Sequence, residues 1–294
     1  MEKTVECVTN FSEGHDLRKV EKIVDAFRAK KNVKLLDYSA DTNHNRMVIT
    51  AIGEPQALKN AVVEAIGIAV EIIDLNTHQG QHPRIGAADV VPFIPIRNMT
   101  MNEAVELSKQ AAKEVSERYM LPVFLYEKSA SVPHRENLAV VRKGQFEGLK
   151  EKMQQPEWQP DFGNPIPHPT AGAVVIGARM PLIAYNINLN TNRLDIAQKI
   201  AQKIRHINGG LRYCKAMAVE LTDKGIVQVS TNLTDYTKTS MYSVFELTRI
   251  EAARYGVTIA GSEVIGLVPL DALIDTTSYY LGLENFSAKQ VLMY

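Results

Sequence analysis

One short stretch of the chain carries side chains that could exchange protons and bind anions. His78, His82, Arg84 and Asp89 lie close together in sequence, and the glycines and proline between them oppose a regular helix. Histidine exchanges protons near neutral pH, and loops held between rigid elements commonly carry such chemistry. The stretch is therefore a candidate acid–base site, although histidines that merely decorate a surface turn would give the same pattern.

The two histidines also raise the question of a metal site. His78 and His82 are four residues apart, which is the spacing of two zinc ligands on one face of a helix. Gly80 and Pro83 oppose that helix, and Gln79 stands where a zinc protease carries its glutamate. The sequence therefore predicts no metal here.

Length and charge exclude several classes of protein. The chain has 294 residues, enough for about two domains, and its 33 basic residues balance its 33 acidic ones. A bulk attraction to nucleic acid or to an anionic membrane is therefore not indicated. No uncharged apolar run approaches the ~18 residues of a membrane span, so we expect a soluble, cytoplasmic protein. Cys7 and Cys214 are expected to be buried, reduced thiols.

Apolar periodicity predicts the elements that hold the histidine loop. Four strands and two helices are expected, in the order strand, helix, strand, strand, helix, strand, at residues 5–8, 17–27, 33–38, 47–53, 55–74 and 90–96. This is the split βαβ order of ferredoxin-like folds. The prolines within 90–96 favour an edge strand or an irregular strand. A helix over 102–119 and a strand over 121–126 extend the unit.

After Gly172 the same order of elements begins again. Strands and helices are expected at residues 174–179, 182–189, 194–205, 216–221, 226–231, 240–255 and 257–260, before a last helix. The predicted fold class is α+β, with two ferredoxin-like (split βαβ) subdomains, residues 1–172 and 173–294, whose sheets flank a substrate groove. The irregular stretch 127–172 is typical of a binding loop, with a linker as the alternative.

Two other turns carry polar side chains that could serve the same site. Asn10 opens a turn that either caps the first helix or supplies donors to a ligand carboxylate. The connection after the second strand carries Asp41, His44, Asn45 and Arg46. That is more hydrogen-bonding groups than a plain turn requires, although Asp and Asn also favour solvated turns for local reasons.

Eight short segments, spread in one order through nearly the whole chain, carry a resemblance to one enzyme family. They are residues 10–14, 44–46, 82–87, 91–95, 158–163, 184–189, 229–233 and 266–270. The chain resembles glutamate formimidoyltransferases in their stand-alone bacterial form, without a cyclodeaminase domain. The resemblance implies transfer of the formimino group from N-formimino-L-glutamate to tetrahydrofolate, a co-substrate, in histidine degradation and one-carbon metabolism. It also implies a homodimer and no metal.

The resemblance further implies roles for individual residues. His82 corresponds to the catalytic base of the family, and the stretch from Gly163 to Gly172 corresponds to its folate-binding segment. Mammalian members carry an aspartate where Ser39 stands, so Asp37 or Asp41 could supply the carboxylate that orients His82. Substrate-binding and folate-binding residues are expected among Asn10, Asp41, His44, Asn45, Arg46, Arg84, Gly163, Asn164, Pro165, Ile166, Pro167, His168, Pro169, Thr170, Ala171 and Gly172.

Formimino transfer needs one proton removed and another supplied. His82 could do both if its pKa lies near the working pH. Because both substrates carry carboxylates, Arg46 or Arg84 is expected to bind one of them through two hydrogen bonds. The alternative is that each arginine pins its own loop to Asp41 or Asp89.

Related functions stay open at this point. They are formyl transfer from N-formylglutamate to tetrahydrofolate, ATP-dependent repair of 5-formyltetrahydrofolate, and folate binding without turnover. The chain has no Gly-x-x-x-x-Gly-Lys phosphate loop to support the ATP-dependent reaction, and the intact His82 loop favours an enzyme. Lys128, Arg135 and Lys143 are expected on the solvated surface rather than along a polyglutamate tail.

Overall fold

The computed structural model describes residues 2–292, and the chain divides between Arg179 and Met180 into two compact units. Each unit is built around a sheet of its own. No helix among residues 2–292 is long and apolar enough to cross a membrane.

The first unit contains one six-stranded sheet. Its elements are β1 (Thr4–Phe11), α1 (Leu17–Asp25), β2 (Val33–Asp41), β3 (Arg46–Gly53), α2 (Pro55–Ile72), β4 (Ala88–Arg97), α3 (Met101–Tyr119), β5 (Val123–Glu127), α4 (Leu138–Val141), α5 (Leu149–Lys152) and β6 (Val174–Ala178). The strand order is β2-β3-β1-β4-β6-β5. The strands β2, β3, β1 and β4 are antiparallel neighbours in the ferredoxin-like order, so the predicted split βαβ unit is confirmed.

Local sequence explains where the main helices begin. Pro55 is the first residue of α2, a position where its missing N–H costs nothing, and the Glu54 side chain accepts a hydrogen bond from the Ala57 N–H at 2.9 Å. In α3, Thr100 and Glu103 form a reciprocal capping box. Both helices then bury an apolar face in the core of the first unit, and the burial of α2 fixes the start of the loop between α2 and β4.

Of the two alternatives predicted for residues 90–96, the structure shows an irregular strand and not an edge strand. The strand β4 lies inside the sheet, with β1 antiparallel on one side and β6 parallel on the other. Proline removes one hydrogen bond from a ladder, and the β1–β4 register shifts between Thr4 and Val5, beside Pro95. The local irregularity lets an interior strand carry this proline.

The strand predicted to open the second subdomain belongs to the first unit as β6. It pairs in parallel with both β4 and β5, and the observed division therefore follows Arg179 rather than Gly172. Residues 128–173 connect β5 to β6, so the stretch from Gly163 to Gly172 leads directly into the sheet that carries the His82 loop.

The second unit repeats the topology with four strands. Its elements are β7 (Ile183–Leu189), α6 (Leu194–Ile204), β8 (Cys214–Leu221), β9 (Ile226–Leu233), α7 (Met241–Ala253), β10 (Ile259–Ile265) and α8 (Leu270–Leu281). The order is β10-β7-β9-β8, all antiparallel, as predicted for a second split βαβ unit. Polar side chains bridge these strands, since Gln228 donates to Asn188 and to Glu263, each at 2.8 Å.

Both cysteines are buried and free, which confirms the prediction of reduced thiols. Burial raises the pKa of Cys7 and that of Cys214 to about 12. Neither thiol forms a nucleophilic thiolate near neutral pH.

Candidate active site

The His82 loop, residues 73–87, connects α2 to β4 and is held at its end by the turn after β1. The Ser12 N–H donates to the Ala87 carbonyl at 2.8 Å, and the Ser12 hydroxyl donates to the Gly86 carbonyl at 2.7 Å. The turn after β1 therefore holds the backbone of this loop, in addition to leading into α1.

Residues 171–173 hold the other side of the same short segment. The Ala87 N–H donates to the Ala171 carbonyl, and the Ala173 N–H donates to the Ile85 carbonyl, each at 3.0 Å. The stretch expected to bind folate is thus hydrogen-bonded directly to the end of the His82 loop. Its Gly172 has φ +67°, and a Cβ there would lie 2.1 Å from the Ile85 carbonyl oxygen, so only glycine fits this contact.

The hairpin connection between β2 and β3 holds the His82 loop from a third side, through Asn45. The Asn45 side chain accepts from the Gly14 N–H and donates to the Gln79 carbonyl, each at 2.9 Å. Its backbone carbonyl accepts from His78 Nε2 at 2.8 Å. Asn45 therefore joins three segments that are distant in sequence.

His78 is occupied by structural hydrogen bonds on both ring nitrogens. Because Nε2 donates to the Asn45 carbonyl, Nδ1 carries the lone pair and accepts from Arg84 Nε at 3.2 Å. Burial lowers the pKa of His78, and the adjacent Arg84 charge lowers it further. His78 is therefore a neutral linking residue.

Arg84 is also occupied. Its Nη1 and Nη2 donate to the two carboxylate oxygens of Glu147 at 2.9 and 2.7 Å, and the Arg84 carbonyl accepts from the Phe146 N–H at 2.9 Å. These bonds hold the pKa of the Glu147 carboxyl below its usual range. Arg84 thus pins its loop, as one of the two alternatives proposed, but its partner is Glu147 rather than Asp41 or Asp89.

Arg46 retains unused hydrogen-bonding capacity. Its Nε donates to Asn10 Oδ1 at 2.8 Å, and its Nη2 contacts the same oxygen. Within residues 2–292 its guanidinium forms no ion pair. Burial lowers the pKa of Arg46, as does the nearby charge of Arg142, yet a guanidinium keeps its proton in any protein environment.

Arg142 is a site residue that sequence reasoning missed. It pairs with Asp89, whose other oxygen accepts from the Ile85 N–H at 2.9 Å. Asp89 is buried, and a buried carboxylate needs a cationic or hydrogen-bonding partner. That rule signals a partner, but nothing in the sequence shows that it lies 53 residues later.

His82 is half-buried beside these arginines. In the described part of the chain no hydrogen bond engages its ring, so both nitrogens are available. Burial, followed by the charges of Arg46 and Arg142, lowers its pKa to about 3. Asp41 does not orient His82, because its Oδ2 lies 2.9 Å from His44 Nδ1 and its Oδ1 accepts from the His44 N–H.

The stretch from Gly163 to Gly172 has an anchored end and an exposed end. His168 and Gly172 exchange backbone hydrogen bonds of 2.8 and 3.0 Å, and the Thr170 carbonyl accepts from the Leu75 N–H at 2.8 Å. Ile166 is 69% exposed and offers an apolar side chain to a ligand. The exposed residues of the stretch are Gly163, Asn164, Pro165, Ile166 and Pro169.

A buried arginine anchors the beginning of this stretch. Arg135 Nη1 donates to Asp161 Oδ2 at 2.8 Å, its Nη2 donates to two backbone carbonyls, and its guanidinium lies over the rings of Phe124 and Trp158. The prediction that Arg135 lies on the solvated surface is wrong, since it is only 4% exposed. Lys128 and Lys143 are exposed, as predicted.

The described residues include no group of three or more His, Cys, Asp and Glu side chains placed to hold a metal. What the geometry assembles is a neutral imidazole beside two guanidinium groups and one carboxylate. Such a set can bind an anion next to a proton acceptor.

Comparison with known proteins gives consistent matches over the whole chain. Residues 4–179 match the family model described as formiminotransferase domain, N-terminal subdomain, and residues 184–291 match formiminotransferase domain. The chain is 50% identical over 293 residues to glutamate formimidoyltransferase of Streptococcus pyogenes serotype M1, covering 99% of this chain and 98% of that protein. It is 48% identical over 290 residues to glutamate formimidoyltransferase of Thermoplasma acidophilum, covering 98% and 95%.

Longer relatives also match. The chain is 39% identical over 291 residues to the formimidoyltransferase-cyclodeaminase of Rattus norvegicus, covering 97% of this chain and 54% of that protein. The two family models are described as formiminotransferase domains, and the three relatives are named as formimidoyltransferases. Their matches extend over both units of the structure. This chain therefore belongs to the formiminotransferase family.

Proposed function

We propose that this protein transfers the formimino group from N-formimino-L-glutamate to tetrahydrofolate, giving L-glutamate and 5-formiminotetrahydrofolate. The observation that carries the proposal is the unengaged, neutral imidazole of His82 beside the guanidinium groups of Arg46 and Arg142. The names of relatives that share nearly the full length of this chain support the same reaction.

In this reaction His82 moves one proton between two nitrogens. N5 of tetrahydrofolate attacks the amidine carbon, a C–N bond forms, and the N5 proton passes to neutral His82. The tetrahedral adduct then breaks its bond to the glutamate nitrogen, which takes the proton back from His82 and leaves as a neutral amine. A positioned base of this kind contributes ~10²–10⁴-fold to the rate.

Arg46 binds a substrate carboxylate in this proposal, whereas Arg84 holds its own loop. Arg46 is available for this role because it has no carboxylate partner among the described residues, whereas Arg84 is engaged by Glu147. Burial is the main cause of the low pKa of His82, and a bound carboxylate would offset the further contribution from the charges of Arg46 and Arg142. A carboxylate bound at Arg46 would therefore raise the pKa of His82 and make it a stronger base.

Tetrahydrofolate is proposed to lie along the stretch from Gly163 to Gly172. The hydrogen bonds between residues 85–87 and 171–173 support this placement, because they hold the stretch beside the loop that carries His82. A homodimer, a cytoplasmic location and a substrate groove between the two sheets stay predictions.

An assay of the purified protein tests the proposal. Tetrahydrofolate is mixed with N-formimino-L-glutamate or N-formyl-L-glutamate, with and without ATP, and its loss is followed by chromatography. We expect turnover of the formimino donor without ATP. Turnover of the formyl donor alone, or a strict requirement for ATP, would contradict the proposal.

The variant His82→Ala tests the assigned base. Its turnover should fall ~10²–10⁴-fold while tetrahydrofolate binding, measured by calorimetry, stays close to that of the wild type. The exposed His206→Ala serves as the control, since His206 lies in the second unit and is assigned to no part of the site. Wild-type turnover in His82→Ala would reject the assignment.

A further inference from the structure

We infer that Arg142 is a specificity-determining residue that, together with Arg46, binds the α-carboxylate of the formimino donor. The inference rests on the proposed function, because it names the part of the donor that this site recognises. It gives a functional role to a residue of the irregular stretch between β5 and β6.

The guanidinium groups of Arg46 and Arg142 lie near the start of β4. Arg46 is bonded to the Asn10 side chain, and Asn10 is paired with Val90 in the register of β1 and β4. Arg142 is bonded to Asp89, the residue next to Val90. Arg46 at the start of β3 and Arg142 just after α4 therefore approach the same end of β4, beside the His82 loop.

The charges around Arg46 and Arg142 also favour binding of an anion. Asp89 is the carboxylate bonded to Arg142, and Arg46 forms no ion pair within residues 2–292. Arg142 also has a buried Nε without a hydrogen-bond partner, a costly state for a buried donor. Arg46 thus lacks an ion-pair partner among the described residues, and Arg142 lacks an acceptor for one N–H group.

The mutual influence of these groups supports their proximity. The charges of Arg46 and Arg142 both lower the pKa of His82, and the charge of Arg142 lowers the pKa of Arg46. An anion bound between the two guanidinium groups would lie close to the imidazole as well.

The positions of the carboxylates in the donor indicate which one is bound. The nitrogen that leaves in the reaction is attached to the α-carbon of glutamate, and the same carbon bears the α-carboxylate. The γ-carboxylate is separated from that nitrogen by the rest of the side chain, and the folate carboxylates lie beyond the aminobenzoyl group. Arginines beside the proton-transfer residue therefore fit the α-carboxylate of the donor.

The test compares two donors that differ only in this group. They are N-formimino-L-glutamate and N-formimino-4-aminobutyrate, which lacks the α-carboxylate. The ratio of their kcat/KM values is measured for the wild type, Arg142→Gln, and Lys143→Gln as the matched control, since Lys143 is an exposed cation next in sequence. This ratio does not depend on the folded fraction, so partial unfolding of Arg142→Gln cannot imitate the effect.

We expect the wild type and Lys143→Gln to prefer the dicarboxylate donor by the same factor. Arg142→Gln should reduce that preference roughly 10- to 100-fold, the value of a charge-assisted hydrogen bond to a carboxylate. An unchanged ratio in Arg142→Gln would overturn the inference and leave Arg142 as a structural partner of Asp89.

A binding experiment separates this inference from the proposed function. Calorimetric titration with L-glutamate, the product that retains both carboxylates, requires no turnover. Weaker binding of L-glutamate by Arg142→Gln than by Lys143→Gln supports the inference even if the formimino donor is not turned over. Equal binding by the two variants, or no binding by the wild type, contradicts it.

Discussion

The Arg135–Asp161 pair provides the sharpest stability prediction, because it anchors the start of the proposed folate-binding stretch. In the variant Asp161→Asn the side chain keeps its size, and its oxygen can still accept the Leu125 N–H, which is 2.7 Å from the carboxylate in the wild type. What disappears is the negative charge beside a guanidinium whose side chain is 5% exposed.

The expected cost follows from the contacts that Arg135 retains. Removing one partner of a buried ion pair typically costs about 3–5 kcal/mol, because the other charge is left uncompensated. Arg135 keeps its bonds to the Glu157 and Gln159 carbonyls and its position over the Phe124 and Trp158 rings. These contacts reduce the penalty, so we expect a loss of about 2–4 kcal/mol and a fall in Tm of roughly 5–12 °C.

The assay uses a probe that the protein already contains. Trp158 is the only tryptophan in the chain and lies against Arg135, so its fluorescence during urea unfolding reports on this part of the first unit. Glu106→Gln is the matched control, because the Glu106–Lys109 pair in the same unit is exposed and worth less than about 0.5 kcal/mol. If Asp161→Asn lowers the free energy of unfolding no more than this control, the pair is not an anchor.

Two further predictions concern the contact between the loops and the titration of the imidazole. Gly172→Ala should destabilise the protein by about 2–4 kcal/mol and raise the KM for tetrahydrofolate, because it adds a steric clash to a left-handed backbone. The control is Gly225→Ala, where φ is +63° and no atom lies within 4 Å of the added Cβ. Its free energy of unfolding, measured by thermal denaturation, should fall by only about 1 kcal/mol. If both variants lose the same stability, a steric clash does not explain the loss in Gly172→Ala. The pKa of His82 is about 3 in the folded protein, below its usual 6.5. As the pH falls from about 6.5 towards 3, the unfolded chain therefore binds a proton at this residue before the folded protein does. The free energy of unfolding declines over that range of pH. His82→Gln should therefore lose less stability than the wild type between pH 7 and pH 5, and an equal loss would show that His82 is not held neutral.

The order of helices and strands could be predicted from the sequence because it depends on local periodicity. Alternating apolar residues in β1 and the proline and capping residues of α2 act within a few positions of the elements they define. The interior position of β4 could not be predicted, since it depends on pairing with β6, a strand far along the chain. Its prolines indicated an edge or an irregular strand, and only the irregularity is found, because a local rule carries no information about distant partners.

In the candidate site too, features that depend on nearby residues could be predicted, whereas contacts with distant residues could not. His82 could be identified from the residue types of its loop and from the resemblance of its flanking sequence. The partners of Arg84 and Asp89 could not, because Glu147 and Arg142 lie in an irregular stretch without periodicity. Arg135 was misplaced for a related reason, since a single basic residue between polar neighbours does not reveal that an aspartate and two rings enclose it.

The hydrogen bonds between residues 85–87 and 171–173 also have a consequence for folding. These contacts join segments separated by nearly half of the first unit, and they form only when β6 takes its place between β4 and β5. Such distant pairings carry a large loop-closure entropy and slow the folding of a domain. The chain should therefore acquire helices and hairpins early during folding, while the geometry around His82 is completed among the last steps.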